Sequence, residues 1–187
     1  QAIIEDLGII VKTKNKITML NELNKFLLEQ LEHRNNVVLI IDEAQNLKPS
    51  LLEQVRLLSN LETEKEKLLQ IILVGQPELR EKLASRELKQ LRQRIAIRYH
   101  IAPLSRREAD GYISHRLNVA GCNNSDIFHK DALEEIFKFS GGIPRLINIA
   151  CDKSLLAGYT ADKKTIDSNM VKKCVKEIEG VFDEHCQ

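Results

Sequence analysis

No Cys-x-x-Cys occurs in this sequence of 187 residues, and its four cysteines, at positions 122, 151, 174 and 186, match no common zinc or redox spacing. That excludes a disulfide scaffold or zinc ribbon and leaves reduced thiols in a cytosolic setting as the plain reading. The His185–Cys186 pair lies at the very end, where termini are loose, and carries no weight as a metal site. Long hydrophobic runs are also missing. The longest, 37–41 and 71–74, fall far short of the ~20 residues a membrane helix needs. This stretch therefore carries no membrane segment, and no signal peptide opens it. Nor does one sign of charge dominate. Lys and Arg total 28 against 27 Asp and Glu, a net charge of +1, which argues against a nucleic-acid coat or a polybasic membrane binder. Internal repeats and low-complexity tracts are absent, and the chain opens on Gln rather than Met, as an internal fragment does.

What is present reads as globular: 43% hydrophobic and 29% charged residues. The length allows one or two domains with a real core. Ile3, Ile4 and Leu7 have helical spacing and end at Gly8. Ile17, Leu20, Leu23, Phe26, Leu27 and Leu31 share one face of a helix over 16–33. The period then changes. Val37 to Ile41 is a continuous, β-branched-rich run ending in Asp42-Glu43, the pattern of a strand buried on both faces. Pro49 starts a helix, where its missing amide hydrogen is harmless, with Leu51, Leu52, Val55 and Leu58 turned inward. The mixed-charge stretch 62–67 reads as a solvated loop. A second buried strand is expected over 69–75, short helices over 78–93, and a third strand over 95–101. Beyond Pro103 the chain reads as helical, in segments near 105–119, 129–139, 143–158 and 167–179. The division expected is an α/β part, 1–103, and a helical part, 104–187.

Strand, helix and strand over 37–75 form a βαβ unit, whose strands run parallel and whose carboxyl ends share one sheet edge. Open α/β sheets bind ligands at that edge. If the two strands are neighbours, Asp42, Glu43 and Gln76 meet in one crevice. Aliphatics followed by Asp-Glu form a Walker B pattern. The first carboxylate, rigid at a strand tip, can hold Mg²⁺ through water, and Glu43 can orient or deprotonate an attacking water. The plainer alternative is a pair of acids ending a strand in solvent. Gln76 can hydrogen-bond water or a γ-phosphate oxygen, or be a turn residue before Pro77. Arg92 and Arg94 precede the third expected strand, as a finger reaching a neighbouring subunit's phosphate or as a basic surface helix. Gly141-Gly142-Ile143-Pro144-Arg145 is a turn that opens a helix, with Arg145 in its first turn, where it can project toward a phosphate or be structural only.

The order of these parts resembles an AAA+ ATPase. The segments VVLIIDEAQNL, LLSNLETEKEKLLQIILVGQPELREKL, LRQRIAIRYHIAPLS and SGGIPRLINIACDKSLLAGY are similar to the general secretion pathway protein A (ExeA-like) family of bacterial ATPases, over residues 1 to about 160. The resemblance implies an α/β fold, a partial P-loop NTPase parallel sheet with a C-terminal α-helical lid. It implies Asp42 as the Mg²⁺ aspartate, Glu43 as the catalytic glutamate and Gln76 as the first sensor. Arg94, or else Arg92, becomes the finger, and Arg145 the second sensor, with Arg145 and Pro144 binding the nucleotide. It further implies ATP and Mg²⁺ as cofactors and a homo-oligomeric parent protein. The partner implied is a membrane-anchored component akin to general secretion pathway protein B, serving a type II secretion pore or type IV pilus. This region would be the cytoplasmic part of an inner-membrane protein.

One departure stands out. No G-x-x-x-x-G-K-[ST] occurs, so the phosphate cradle is missing from the sequence. In relatives it lies upstream, and truncation is the simplest account; ATP binding by this chain is expected to be weak or absent. The phosphate-loop strand of such proteins sits between those matching 69–75 and 95–101, so unpaired edges are expected, covered by rearrangement, by self-association or by an omitted upstream segment. Two other readings stay open: a transposition- or DNA-associated ATPase using Arg86, Lys89, Arg92, Arg94, Arg98, Arg106 and Arg107, or a non-catalytic interaction module. An aromatic content of 4% and balanced charge weigh against nucleic acid.

Overall fold

A computed structural model describes residues 2–11, 15–122 and 127–183; His185 and Cys186 lie outside the described residues. The chain divides into two compact units, 1–99 and 100–187.

The first unit runs α1 (Ala2–Asp6), α2 (Lys16–Glu32), β1 (Val37–Ile41), α3 (Pro49–Leu58), β2 (Leu69–Leu73), α4 (Glu78–Ala84) and α5 (Lys89–Arg94). Asn15 caps α2, its Oδ1 accepting from the Ile17 amide at 2.9 Å. Pro49 opens α3 in the first helical turn. β1 and β2 pair in parallel, from Val37 opposite Leu69 to Ile41 opposite Leu73. Leu23 and Leu27 of α2 pack with Leu69, Val37, Leu39 and Ile71 of one sheet face. Leu73, on the same face, joins Leu52, Leu88 and Leu91 from α3, its approach to α5, and α5 itself.

The other sheet face differs from the expectation of strands buried on both sides. Val38, Ile40, Ile72 and Val74 are exposed, Ile40 to 63%. A continuous aliphatic run satisfies one covered face as readily as two, so the sequence pattern did not separate the cases. The third expected strand is not formed. Residues 95–101 carry no strand assignment, and Ile97, Tyr99 and Ile101 are exposed, Tyr99 to 88%. Alternating apolar residues make a strand only where a neighbour takes up the backbone N–H and C=O groups, and among the described residues the sheet is β1 and β2 alone. Ile17 and Leu51, assigned to inward helical faces, are exposed as well. The 62–67 loop is more ordered than a simple solvated connection: Glu62 and Lys67 form an antiparallel bridge and an ion pair around the Thr63–Glu66 turn.

The second unit is helical as expected: α6 (Arg106–Val119), α7 (Lys130–Ser140), α8 (Pro144–Thr160) and α9 (Ser168–Asp183). A capping box starts α6, with the Glu108 amide donating to Ser105 Oγ and the Ser105 amide and hydroxyl to the Glu108 carboxylate. Those bonds hold the Glu108 carboxyl below its usual range, the side-chain bond most. The core gathers Ile113, Ile136, Ile147 and Val171 from all four helices. A single parallel bridge between Phe128 and Ile166 ties the approach to α7 to the approach to α9.

Candidate functional site

Each strand stops where its apolar run gives way to polar residues. Pairing continues one step past β1, for the Val74 amide donates to Ile41 O and the Ala44 amide to Val74 O, both at 2.9 Å. The two tips are therefore laced together, and the 42–44 turn sits beside 74–76. The two strands are neighbours and their carboxyl ends share one sheet edge. The Asp42, Glu43 and Gln76 side chains are all exposed there.

The turn is tight. Asp42 Oδ1 accepts from the Glu43 amide at 2.8 Å, and Glu43 takes a left-handed backbone conformation, φ 51°, that a glutamate adopts at some energetic cost. A short 3₁₀ turn, Ala44–Asn46, follows, with Ala44 fully buried beneath it. The two carboxylates accept from different donors, Asp42 from the Glu43 amide and Glu43 from the Gln45 side chain.

Sequence reasoning passed over the residue that joins the tips. Gln45 Nε2 donates to Glu43 Oε2 at 2.6 Å, while its Oε1 accepts from the Gln76 amide at 3.2 Å. Lys82 of α4 donates its ammonium to the carbonyls of Gln45 and Leu47, the latter at 3.0 Å, which pins the turn from below. Gly75 makes room: a Cβ there would stand 2.6 Å from Gln45 Oε1. The available signal was the glycine before Gln76, since a glycine at a strand end marks a close approach.

The arginines lie elsewhere on their units. Arg92 and Arg94 fall in the last turn of α5, ahead of an irregular segment rather than a strand. Arg92 is turned back onto its own unit, Nη1 donating to Ala84 O at 3.1 Å. Arg94 is exposed and makes no hydrogen bond or ion pair among the described residues. Of the two, Arg94 is the guanidinium left available. The basic cluster from Arg86 to Arg107 is divided, since Arg106 and Arg107 belong to the second unit and Arg106 pairs with Asp110 at 3.1 Å.

Arg145 is exposed in the first turn of α8, directly after Pro144. The turn before it rests on Gly141 and Gly142, with φ of 54° and 81°. The Gly142 carbonyl accepts from the Leu104 amide at 2.9 Å, and a Cβ on Gly142 would lie 2.0 Å from Leu104 O. Only glycine fits, so the start of α8, and Arg145 with it, is fixed against the segment entering α6.

The donor set fits Mg²⁺. This hard cation is commonly held by one or two carboxylates plus waters and phosphate oxygens. Asp42 keeps one carboxylate oxygen uncommitted, and among the described residues no group of three His, Cys, Asp or Glu converges as a ready-made cage. For ATP the fit is partial. The tips supply groups suited to metal and water, whereas the sequence holds no lysine-bearing phosphate loop.

Comparison with known proteins agrees in kind. A family model described as an AAA domain matches residues 1–83. General secretion pathway protein A of Aeromonas hydrophila is 46% identical over 158 residues, covering 84% of this chain and 29% of that protein. The chain thus spans under a third of that relative's length. Among solved structures, Cdc6p of Pyrobaculum aerophilum superposes with a TM-score of 0.64 at 20% identity, covering 94% of this chain and 48% of that one. The ADP form of the ORC2 protein of Aeropyrum pernix gives 0.62 at 14% identity, covering 94% and 48%. The RuvB Holliday junction branch migration motor of Thermotoga maritima gives 0.59 at 18%, covering 82% and 48%. At these identities the structural likeness speaks to the fold alone, an α/β AAA+ architecture followed by helices.

Proposed function

The chain belongs to the AAA+ ATPases, in the family of general secretion pathway protein A, and from that premise we propose that it forms the hydrolytic part of an ATP-driven motor of a secretion pathway. The observation that carries the reading is the lacing of the two strand tips, which brings Asp42, Glu43 and Gln76 to one edge. In this reading Asp42 holds Mg²⁺ through water. Glu43, on its left-handed turn, orients the attacking water and takes up its proton. Gln76 hydrogen-bonds that water or a γ-phosphate oxygen. Bound Mg²⁺ supplies charge neutralisation on the phosphates.

Arg94 is the finger offered to a neighbouring copy, a contribution of roughly 10³–10⁵ in rate where such a group completes the site, and its lack of any other engagement supports it over Arg92. Arg145 is the second sensor, its station set by Gly142 and Pro144. The phosphates are cradled by a segment that this sequence does not contain, so residues 1–187 alone bind ATP weakly and do not turn it over. The motor is homo-oligomeric and works on the cytoplasmic side, where ATP is. It acts on a membrane-anchored partner in building a type II secretion or type IV pilus secretin. No helix among the described residues is long and apolar enough to cross a membrane.

ATP turnover by the full-length gene product is the test. Glu43→Gln is expected to lower kcat by about 10²-fold or more while leaving nucleotide binding intact. Equal turnover in the two proteins would remove Glu43 from its role and the motor reading with it.

A further inference from the structure

Beside the backbone bonds that lace the strand tips, one side chain with no assigned role links the Glu43 turn to the tip of β2. Gln45 is half-buried between Glu43 and Gln76, and its carboxamide is used at both ends, the NH₂ on the Glu43 carboxylate and the oxygen on the Gln76 amide. Only one orientation of the amide satisfies both partners, because a carboxylate can only accept and a backbone N–H can only donate. The arrangement is also supported from outside. Lys82 holds the main chain of this turn through the carbonyls of Gln45 and Leu47, and Gly75 leaves the space the Gln45 side chain fills.

We infer that Gln45 is a positioning residue for hydrolysis, holding the Glu43 carboxylate in register with the Gln76 strand tip so that the water-activating and sensing groups move as one. The inference rests on the catalytic reading of Glu43. Glu43 stands on a strained, exposed turn. The charge-assisted hydrogen bond from Gln45 restricts the Glu43 carboxylate to the position in which that bond is made. A displacement of Gln76, as when a γ-phosphate is gained or lost, is then passed to Glu43 through a single rigid amide. Asparagine is one methylene too short to span both partners. Glutamate retains the acceptor toward Gln76 but sets a second carboxylate against Glu43.

Two substitutions separate the functions of the bridge. In the full-length protein, Gln45→Ala removes both bonds, and Gln45→Glu removes only the donation to Glu43. Hydrogen exchange at the Gln76 amide is expected to rise about five-fold in Gln45→Ala and to stay near wild type in Gln45→Glu, the change that one hydrogen bond produces. Both variants are expected to lose about ten-fold or more in kcat with KM for ATP unchanged, as befits loss of an interaction made to a catalytic group rather than to substrate. Wild-type kcat in Gln45→Glu would overturn the positioning role, and unchanged Gln76 exchange in Gln45→Ala would overturn the bridge. Glu43→Gln, measured alongside, keeps the two ideas apart. If it turns over ATP like wild type, the catalytic reading fails, whereas low turnover in Glu43→Gln with normal turnover in both Gln45 variants sinks only the inference drawn here.

Discussion

Replacing Gly142 by alanine is a sharp test of how Arg145 is held. At φ 81° an L-residue is strained, which costs about 1–2 kcal/mol. The new methyl would also stand 2.0 Å from Leu104 O, so the turn must move and the 2.9 Å bond from the Leu104 amide to Gly142 O is lost, about 1 kcal/mol more. The sum is about 2–3 kcal/mol. For a unit of this size, 1 kcal/mol shifts Tm by about 4–8 °C, so scanning calorimetry should place the transition of the 100–187 unit at least about 8 °C lower. Gly141→Ala supplies the control. Its φ of 54° is positive too, yet nothing lies within 4 Å of the added Cβ, so only the conformational term of about 1–2 kcal/mol remains. Equal shifts for the two variants would refute the argument that the Leu104 contact, rather than backbone conformation alone, sets this turn.

Other expectations follow from the same geometry. Ile136→Ala, at a fully buried position of α7, should cost about 2–5 kcal/mol in urea unfolding, whereas Leu156→Ala, on an exposed part of α8, should stay within about 0.5 kcal/mol. Burial, with Asp152 beside it, pushes the Cys151 thiol up to about 12. The folded chain then keeps this proton while an unfolded thiolate has lost it, so stability should fall between about pH 9 and 12 by up to about 1.4 kcal/mol per unit, and Cys151→Ala should flatten that part of the profile. In acid the sign reverses. Glu108 is lowered by Ser105, Asp131 by Ser168 at the start of α9, and Asp167 by the Met170 amide. Their contributions are present above the ordinary carboxylate range and should be lost as pH falls below it, read as earlier urea unfolding of the second unit. Titration calorimetry of residues 1–187 with Mg-ATP should show no micromolar binding, and micromolar affinity would contradict the missing-cradle argument.

The legible parts of this fold were those set by local chemistry. The five aliphatics of β1, Pro49 at the head of α3 and the two glycines before Pro144 each specify a structure within a few residues, and each is found. What depends on a distant neighbour was not legible. Ile95, Ile97, Tyr99 and Ile101 alternate as a strand does, but alternation cannot supply the adjacent strand whose backbone groups would pair with theirs. Nor can an aliphatic run reveal which of its faces is covered, as Ile40 shows. At the candidate site, Asp42, Glu43 and Gln76 could be placed because strand ends in a βαβ unit share an edge. Gln45 could not, since a glutamine in a turn has no pattern, and its importance arises only when residue 45 meets residue 76.

The most direct measurement replaces Mg²⁺ with Mn²⁺ in the nucleotide-loaded, full-length protein and maps which backbone amides its unpaired electrons broaden. The amides of residues 42–45 and 75–76 should be lost together, and Asp42→Ala should restore them. Broadening centred elsewhere, or unaffected by Asp42→Ala, would contradict the claim that these two strand tips hold the metal of an ATPase.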